Sequence, residues 1–314
     1  MTPTPTILVA TWSDGLFRVV GESVHHEVAG QSVRGLTSDG HGGALAIVGG
    51  HSLCRRSAEG EWITLAESDH DLSCCVAVED VVFVGTDDAR VLRVDPDGGQ
   101  QWLTGFDAVE GRDRWYAGAA VVDGKLMGPP LGVRSMTATC DGGALLANVH
   151  VGGVPRSTDG GRTWRPTIDI DSDVHQVLAH PTRPELVIAA AAAGLCVSRD
   201  AGASWSIEHQ GLHAPHCSAV AFVGEDIFVS ASTDPFSEEG AVYRRPIEAE
   251  GPLEPAGMGL PRWTDGVVDT DCIATRGSVL AVIDGSARLY VSDGAGAWSV
   301  ALDRGVVPIG LHIC

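Results

Sequence analysis

Ser157-Thr-Asp-Gly-Gly-Arg-Thr-Trp164 and Ser198-Arg-Asp-Ala-Gly-Ala-Ser-Trp205 are two copies of one eight-residue pattern. Their first residues lie 198 minus 157, or 41, positions apart, and a repeat of about 40 to 45 residues is typical of a four-stranded β-propeller blade. In each copy the short Asp side chain can bond backbone N–H groups of a turn, and the Trp supplies an apolar anchor. The pattern therefore predicts a repeated hairpin and an all-β propeller.

Weaker copies of the same turn occur in three other places, at Ser57–Trp62, Asp95–Trp102 and Ser292–Trp298. With these copies the chain resembles the BNR or Asp-box repeat family, which includes sialidase-like and sortilin-like propellers within the WD, YVTN and BNR-like repeat superfamily. The resemblance implies a fold and says almost nothing about activity, because the motif is a structural device.

The repeat predicts a seven-bladed β-propeller of four-stranded antiparallel blades. Six complete blades are expected at residues 33–66, 73–105, 134–170, 174–210, 217–259 and 268–303. The seventh blade takes Ile7–Thr11 and Leu16–Val20 from one end of the chain and an inner strand, Val306–Cys314, from the other. The N- and C-terminal strands thus close the last blade and remove exposed sheet edges. Residues 1–314 are expected to form a single domain.

Two segments interrupt the repeat, at residues 107–133 and 246–266. Both are expected to be long connections from the outer strand of one blade to the inner strand of the next. In propellers such connections share a face with the loops between second and third strands, and ligands usually bind on that face. The Asp-box turns are expected on the opposite face.

The chain is acidic, with a formal net charge of −20 and a pI near 4.8. This charge repels phosphate backbones and anionic lipids, so neither nucleic acid nor a membrane surface is expected as a partner. No apolar run is long enough to span a bilayer, and the first residues lack the basic and apolar regions of a signal peptide. A cytoplasmic location is therefore expected.

The predicted inner strands place one column of side chains at the mouth of the axial channel. Its members are Arg34, Cys74, Arg134, His175, Ser218 and Asp271. Loops on the same face add further imidazoles, and imidazole with carboxylate is a common ligand set for divalent metals. The candidate metal ligands are His150, His175 and one of His213 or His216, with Asp271 as the carboxylate. Ordinary solvent-exposed histidines are the alternative interpretation.

Arginines in the same column suggest that the mouth binds an anion. Arg34 and Arg134 can clamp a carboxylate or phosphate through paired N–H donors. Trp12 lies in a loop at the mouth, and Trp115 with Tyr116 in the first long connection can cover a ligand. The alternative is that each arginine pairs with a neighbouring carboxylate and only ties blades together, and that the connection is an ordinary packed loop.

Sialidase activity, which the family resemblance raises, is not expected. That activity uses an arginine triad, a tyrosine nucleophile assisted by a glutamate, and an acid–base aspartate. The chain has three tyrosines, and Tyr243 and Tyr290 lie in apolar third strands, which leaves Tyr116. The column at the mouth contains only two arginines.

Two functions of different classes remain open. The first is binding of a small anionic ligand at the axial mouth, on the face opposite the Asp-box turns, by a metal-assisted enzyme of the hydrolase or lyase type. His175 would act as general base or metal ligand and Asp271 as its orienting or coordinating carboxylate. The second is a noncatalytic scaffold that presents its loops to a protein partner.

Overall fold

The chain forms a ring of seven antiparallel sheets. The structure is a computed structural model that describes residues 4–117, 120–122, 125–127, 131–292, 296–302 and 305–314. Side chains are described for all of these residues except 120–122 and 125–127. Each sheet is a blade whose four strands follow one another in space. The innermost strands of neighbouring blades contact one another around the ring. The prediction of a seven-bladed β-propeller is confirmed.

The first four complete blades follow the predicted repeat closely. Blade 1 consists of β4 (Val33–Ser38), β5 (Ala44–Val48), β6 (Ser52–Arg56) and β7 (Trp62–Glu67). Blade 2 consists of β8 (Leu72–Val78), β9 (Val81–Thr86), β10 (Val91–Val94) and β11 (Gln100–Trp102). Blade 3 consists of β14 (Val133–Ala138), β15 (Leu145–Val149), β16 (Pro155–Ser157) and β17 (Arg165–Pro166). Blade 4 consists of β18 (Val174–Ala179), β19 (Val187–Ala191), β20 (Gly194–Ser198) and β21 (Ser206–Glu208).

The remaining three blades complete the ring. Blade 5 consists of β22 (His216–Val223), β23 (Asp226–Ser232), β24 (Glu239–Pro246) and β25 (Glu254–Pro255), and β26 (Thr264–Asp265) also pairs with β24. Blade 6 consists of β27 (Ile273–Arg276), β28 (Val279–Ile283), β29 (Arg288–Ser292) and β30 (Ala297–Ala301). Blade 7 consists of β31 (Pro308–Ile313), β1 (Thr6–Thr11), β2 (Leu16–Val20) and β3 (Ser23–Glu27).

Blade 7 is closed by strands from the two ends of the chain. Strand β31 pairs antiparallel with β1, in a register that places Ile7 opposite Ile313 and Val9 opposite Leu311. All four of these side chains are buried, so the closing pair is held by apolar packing as well as by ladder hydrogen bonds. That residues 1–314 form one domain stays a prediction, because ring closure does not measure cooperative unfolding.

The apolar core lies between the blades rather than within any one of them. Every residue of the second strands β5, β15 and β19 is buried, because each of these strands is covered on both faces. Leu146 of blade 3, for example, belongs to one buried cluster with Val177 and Val187 of blade 4. The second strands appear as apolar runs in the sequence because both of their faces are buried between neighbouring blades.

Helix is scarce in the described residues. It comprises α1 (Thr104–Asp107) and two 3₁₀ turns, Arg112–Arg114 and Ile170–Ser172. None of these helices has the length or apolar character needed to cross a bilayer. The expected cytoplasmic location stays a prediction.

The two interruptions of the repeat contain more structure than expected. Residues 107–133 include the hairpin β12 (Ala120–Val122) and β13 (Lys125–Met127). Residues 246–266 supply β26, which pairs with β24, and β25, the fourth strand of blade 5, which lies within the blade predicted at residues 217–259. That strand is only two residues long, which is too short to leave an alternating pattern in the sequence.

The two strongest repeat turns form the same hydrogen bonds. Asp159 Oδ1 accepts from the Thr163 backbone N–H at 2.9 Å, and Asp200 Oδ1 accepts from the Ser204 backbone N–H at 2.8 Å. Each carboxylate also accepts from the hydroxyl of the same Thr or Ser. The copy at Ser292–Trp298 includes residues 293–295, which lie outside the described residues.

Bulges in the inner strands explain which side chains reach the channel mouth. The register of β14 skips Arg134, between Val133 and Ser135, and that of β18 skips His175, between Val174 and Gln176. A bulge adds one residue to its strand and re-aims that residue's side chain. Arg134 and His175 are therefore turned out of the regular alternation of their strands.

Candidate functional site: a His–Asp–His group between blades 3 and 4

Three potential metal ligands meet where blade 3 faces blade 4 on the loop side of the ring. His150 directly follows β15, Asp173 ends the 3₁₀ turn before β18, and His175 is the bulged residue of β18. Asp173 has a positive φ of 48°, a conformation that Asp tolerates better than most residues. The backbone thus carries its carboxylate back toward the two imidazoles.

The distances within this group suit a metal ion. Asp173 Oδ1 lies 3.4 Å from His150 Nε2 and 3.7 Å from His175 Nε2. The three ligand atoms all lie within 4.8 Å of one another. Two ligand atoms on a tetrahedral zinc ion, with bonds of about 2.1 Å, are about 3.4 Å apart. Small rotations of the side chains would therefore bring all three atoms to one ion.

The hydrogen bond made by His175 prepares it to be a ligand. Its Nδ1 lies 2.5 Å from the backbone carbonyl oxygen of Cys217, and only a protonated Nδ1 can donate to that oxygen. In the neutral imidazole, Nε2 then carries a lone pair and faces the Asp173 carboxylate. Two electron-rich atoms facing each other require a cation or a proton between them, and metal-bound histidines commonly donate their other nitrogen to a carbonyl in this way.

Asp173 Oδ1 is itself buried and has no well-formed hydrogen bond within the described part of the chain. Burial alone would raise the pKa of Asp173, but the nearby imidazoles, His175 first, lower it below its ordinary value. The carboxyl group is therefore ionised at neutral pH and available as a ligand.

The neighbouring imidazoles are held neutral. Burial, with the positive charge of Arg134 next in importance, lowers the pKa of His150 to about 4. Burial also lowers the pKa of His216 to about 4. The rings of His216 and His175 lie 4.6 Å apart between centroids, so His216 borders the group without belonging to it. Neutral imidazole is the form that binds metals.

Arg134 brings a positive charge to the same place. Its Nη2 donates to Asp269 Oδ1 at 3.1 Å and its Nε donates to Thr270 Oγ1 at 3.1 Å. Thr270 Oγ1 in turn lies 3.4 Å from the backbone carbonyl oxygens of His175 and Ser218. Arg134 therefore reaches from blade 3 to the connection that leads into blade 6, next to the His–Asp–His group.

Arg34, the second predicted arginine, contacts a different carboxylate from Arg134. Arg34 Nη1 donates to Asp87 Oδ2 at 3.1 Å, and its guanidinium lies 5.7 Å from the ring centre of Trp12. The structure thus brings Arg34 and Trp12 together. Each predicted arginine is paired with a carboxylate, which is the arrangement of the alternative interpretation.

Three other predicted residues are placed away from the His–Asp–His group or beside it. His213 contacts Tyr243, with 2.9 Å from Nδ1 to the phenol oxygen, and is not among the grouped ligands. The Trp115 ring is buried against Phe106 and does not cover the mouth. Tyr116 is exposed, and its backbone N–H donates to the carbonyl of Val151, the residue after His150.

Asp271 lies in the ring of inner strands, where its Oδ1 accepts from Gln176 Nε2 at 2.8 Å. Burial raises the pKa of Asp271 to about 7, although Arg134 acts to lower it. Asp271 is not one of the grouped ligands. The carboxylate that lies next to His175 is that of Asp173, and the predicted role of Asp271 stays a prediction.

Sequence reasoning missed Asp173, although a signal for it existed. Asp173 precedes His175 by two residues, so a carboxylate and an imidazole lie close together in the sequence. Asp173 lies in the turn before β18, outside the strand positions from which the candidate residues are predicted.

A cleft of about 590 Å³ opens on the same loop face between blades 5, 6 and 7. Its lining includes the carboxylates of Glu238, Asp265, Asp269 and Asp284 and the apolar side chains of Phe236 and Val307. Asp269 belongs both to this lining and to the pair with Arg134, so the cleft adjoins the mouth.

The fold and this group together define a seven-bladed β-propeller with a His–Asp–His cluster on its loop face. No family model and no curated protein matches the sequence. The family assignment to BNR or Asp-box repeats therefore stays a prediction.

Solved structures share the fold at low sequence identity. A putative 6-phosphogluconolactonase from Bacteroides uniformis gives a TM-score of 0.65 at 14% identity over 100% of both chains. Virginiamycin B lyase from Staphylococcus aureus gives 0.59 at 11% identity over 86% of this chain and 84% of that one. A computationally designed protein gives 0.56 at 13% identity over 92% of this chain and 85% of that one. At these identities the likeness establishes the fold alone.

Proposed function

We propose that the protein binds a divalent metal ion through His150, Asp173 and His175 and uses it to hold a small anionic ligand at the axial mouth. The observation that carries this proposal is the buried Asp173 Oδ1, which faces two imidazole Nε2 atoms at 3.4 and 3.7 Å and has no well-formed hydrogen bond within the described residues. A divalent cation satisfies all three atoms at once.

The same arrangement suits metal-assisted hydrolysis or elimination. A metal ion at this place can polarise a carbonyl or phosphoryl oxygen and activate water. His216, which burial keeps neutral at pH 7, borders the group, with its ring centre 4.6 Å from that of His175. Two propellers of similar fold are named as a lyase and as a putative lactonase, which supports an enzyme of this general type by analogy only.

Metal binding is tested by calorimetric titration of chelator-treated protein that carries no His tag, with Zn²⁺ and Mn²⁺ as probes. The wild type should bind one equivalent, and His175→Ala should weaken binding by at least about 100-fold, since substitution of a residue that only orients a metal ligand commonly costs about 10- to 100-fold. His213→Ala is the matched control and should bind like the wild type. A wild type with no saturable binding, or equal affinity in His175→Ala, would refute the proposal.

Anion binding should depend on the metal. The mouth is acidic, and Arg134 is already paired with Asp269, so an anion gains little until the metal adds its two positive charges. A small carboxylate or phosphate should raise the melting temperature of the metal-loaded protein, and Arg134→Ala should abolish this shift whereas Arg34→Ala should not. If the anion raised the melting temperature of the metal-free protein by the same amount, anion binding would not depend on the metal.

A noncatalytic interaction scaffold is the second candidate. Trp12, Phe236 and Val307 are 56%, 58% and 54% exposed, and the backbone N–H of Trp12 donates to the Val307 carbonyl. Exposed apolar side chains that cluster on one face are typical of interaction surfaces. This function would be favoured by absence of metal and anion binding together with a stoichiometric protein partner that Trp12→Ala and Phe236→Ala release.

A further inference from the structure

Asn148 lies in the second strand of blade 3, two residues before His150 of the His–Asp–His group. It is fully buried in β15. Alternate residues of a strand face the same side, so Asn148 shares a face with Leu146 and His150. Leu146 packs against blade 4 and His150 meets Asp173 of blade 4. The Asn148 side chain is therefore placed between an apolar cluster and the candidate metal ligands.

The amide of Asn148 is unsatisfied by the protein. Neither Nδ2 nor Oδ1 has a hydrogen-bond partner among the residues that the structure describes. Other polar side chains of the layer between blades 3 and 4 are used: Ser135 Oγ accepts from the Val177 N–H at 2.9 Å, and Thr137 Oγ1 accepts from the Ala179 N–H at 3.0 Å. An unpaired buried amide destabilises the fold, and an apolar residue would avoid this cost.

Two unsatisfied polar groups thus occur in one interblade layer, the amide of Asn148 and the carboxylate oxygen of Asp173. Both are explained if the layer holds a polar occupant. A metal ion would satisfy the carboxylate, and a water or ligand oxygen next to that ion would accept from Nδ2 or donate to Oδ1.

We infer that Asn148 is a positioning residue of the metal site, whose amide holds the water or ligand oxygen that accompanies the ion on its inner side. The inference rests on the proposed function and adds a residue to it. Asn148 contacts the accompanying oxygen and is not itself a metal ligand.

The test compares Asn148→Leu with the wild type in two measurements. Leucine has nearly the same size and no polar group. Without metal, the variant should melt about 2 °C or more above the wild type, because two unsatisfied buried groups are removed. In calorimetric titration of the chelator-treated, tag-free protein, its affinity for Zn²⁺ should fall roughly 10-fold or more. A residue with a merely structural role would not combine higher stability with weaker metal binding.

Two further variants serve as controls. Thr137→Val changes a polar side chain of the same layer that is already hydrogen-bonded, and it should lower the melting temperature while leaving the Zn²⁺ affinity unchanged. Asn148→Ser keeps a hydrogen-bonding group, should retain more affinity than Asn148→Leu, and gives the same comparison if the leucine variant does not fold.

The possible failures are distinguishable. A wild type that binds neither Zn²⁺ nor Mn²⁺ overturns the proposed function and this inference with it. A wild type that binds Zn²⁺ and an Asn148→Leu variant that binds it equally well overturn the inference alone and leave the metal site in place.

Discussion

Asp271 is a carboxyl group whose charge the fold disfavours. Burial raises its pKa to about 7, whereas an unfolded chain has an Asp pKa of about 3.9. The folded state therefore binds a proton more tightly than the unfolded state. The Asp271 carboxyl group therefore increases the free energy of unfolding at low pH. This contribution is lost as the pH rises from about 4 to about 7, at up to about 1.4 kcal/mol per pH unit.

Asp271→Asn should remove this decrease in the free energy of unfolding at higher pH, because an amide does not ionise. The amide oxygen can still accept from Gln176 Nε2, and Asn tolerates the positive φ of 59° at this position. The variant should gain stability over the wild type at pH 8, and the gain should shrink toward pH 5, as measured by urea unfolding across that range. A stability difference that does not change with pH would show that the Asp271 carboxyl group does not titrate in this way.

Individual site residues were predictable from the sequence only in part. His150 and His175 were chosen because strand alignment brought them to the mouth, and the structure groups both with Asp173. Asp173 is missed because it lies between a 3₁₀ turn and β18, where no strand pattern applies. His213 is a predicted ligand because it lies in a connection between blades on the same face, yet its ring contacts Tyr243. Side-chain partners that are distant in sequence decide such cases.

At the scale of the elements, the repeat hairpin joins neighbouring blades through its tryptophan. Trp164 follows the Asp159 turn, and its Nε1 donates to the Gly161 carbonyl at 2.9 Å. Its ring is buried against Phe106, with 5.1 Å between centroids. Phe106 follows the last strand of blade 2, so one side chain of blade 3 secures the hairpin to the preceding blade.

Trp164→Ala should therefore be strongly destabilising. Truncation of a buried tryptophan typically costs about 3 to 5 kcal/mol, and the free energy of unfolding, measured with urea, should fall by that amount. Trp12→Ala is the control, since Trp12 is largely exposed, and should change stability by about 0.5 kcal/mol or less. Similar losses in the two variants would mean that the Trp164 ring does not secure the hairpin.

Strands were easier to predict than connections, for a physical reason. Second strands such as β15 and β19 are buried on both faces, so they appear in the sequence as uninterrupted apolar runs. The closing strands β1 and β31 are predicted from the segments that remain at the two ends of the sequence once six blades are placed. The exact position of the two-residue strand β25 within the blade predicted at residues 217–259 and the burial of Trp115 depend on tertiary contacts, which the local sequence does not encode.

At the scale of the whole molecule, the ring creates a site that no single blade contains. His150 comes from blade 3, Asp173 and His175 from blade 4, and the carbonyl that orients His175 from Cys217 of blade 5. The chain also carries a formal net charge of −20, which attracts cations to its surface. The geometry of the ring and the charge of the chain thus both favour a metal ion at this place.

The location of a bound metal tests this account most directly. Crystals grown from chelator-treated protein and soaked in Mn²⁺ or Zn²⁺ should show an anomalous-difference peak about 2.0 to 2.3 Å from His150 Nε2, His175 Nε2 and Asp173 Oδ1. A peak only at other carboxylates, such as those of the cleft, or no peak with either ion, would contradict the claim that these three residues form a metal site.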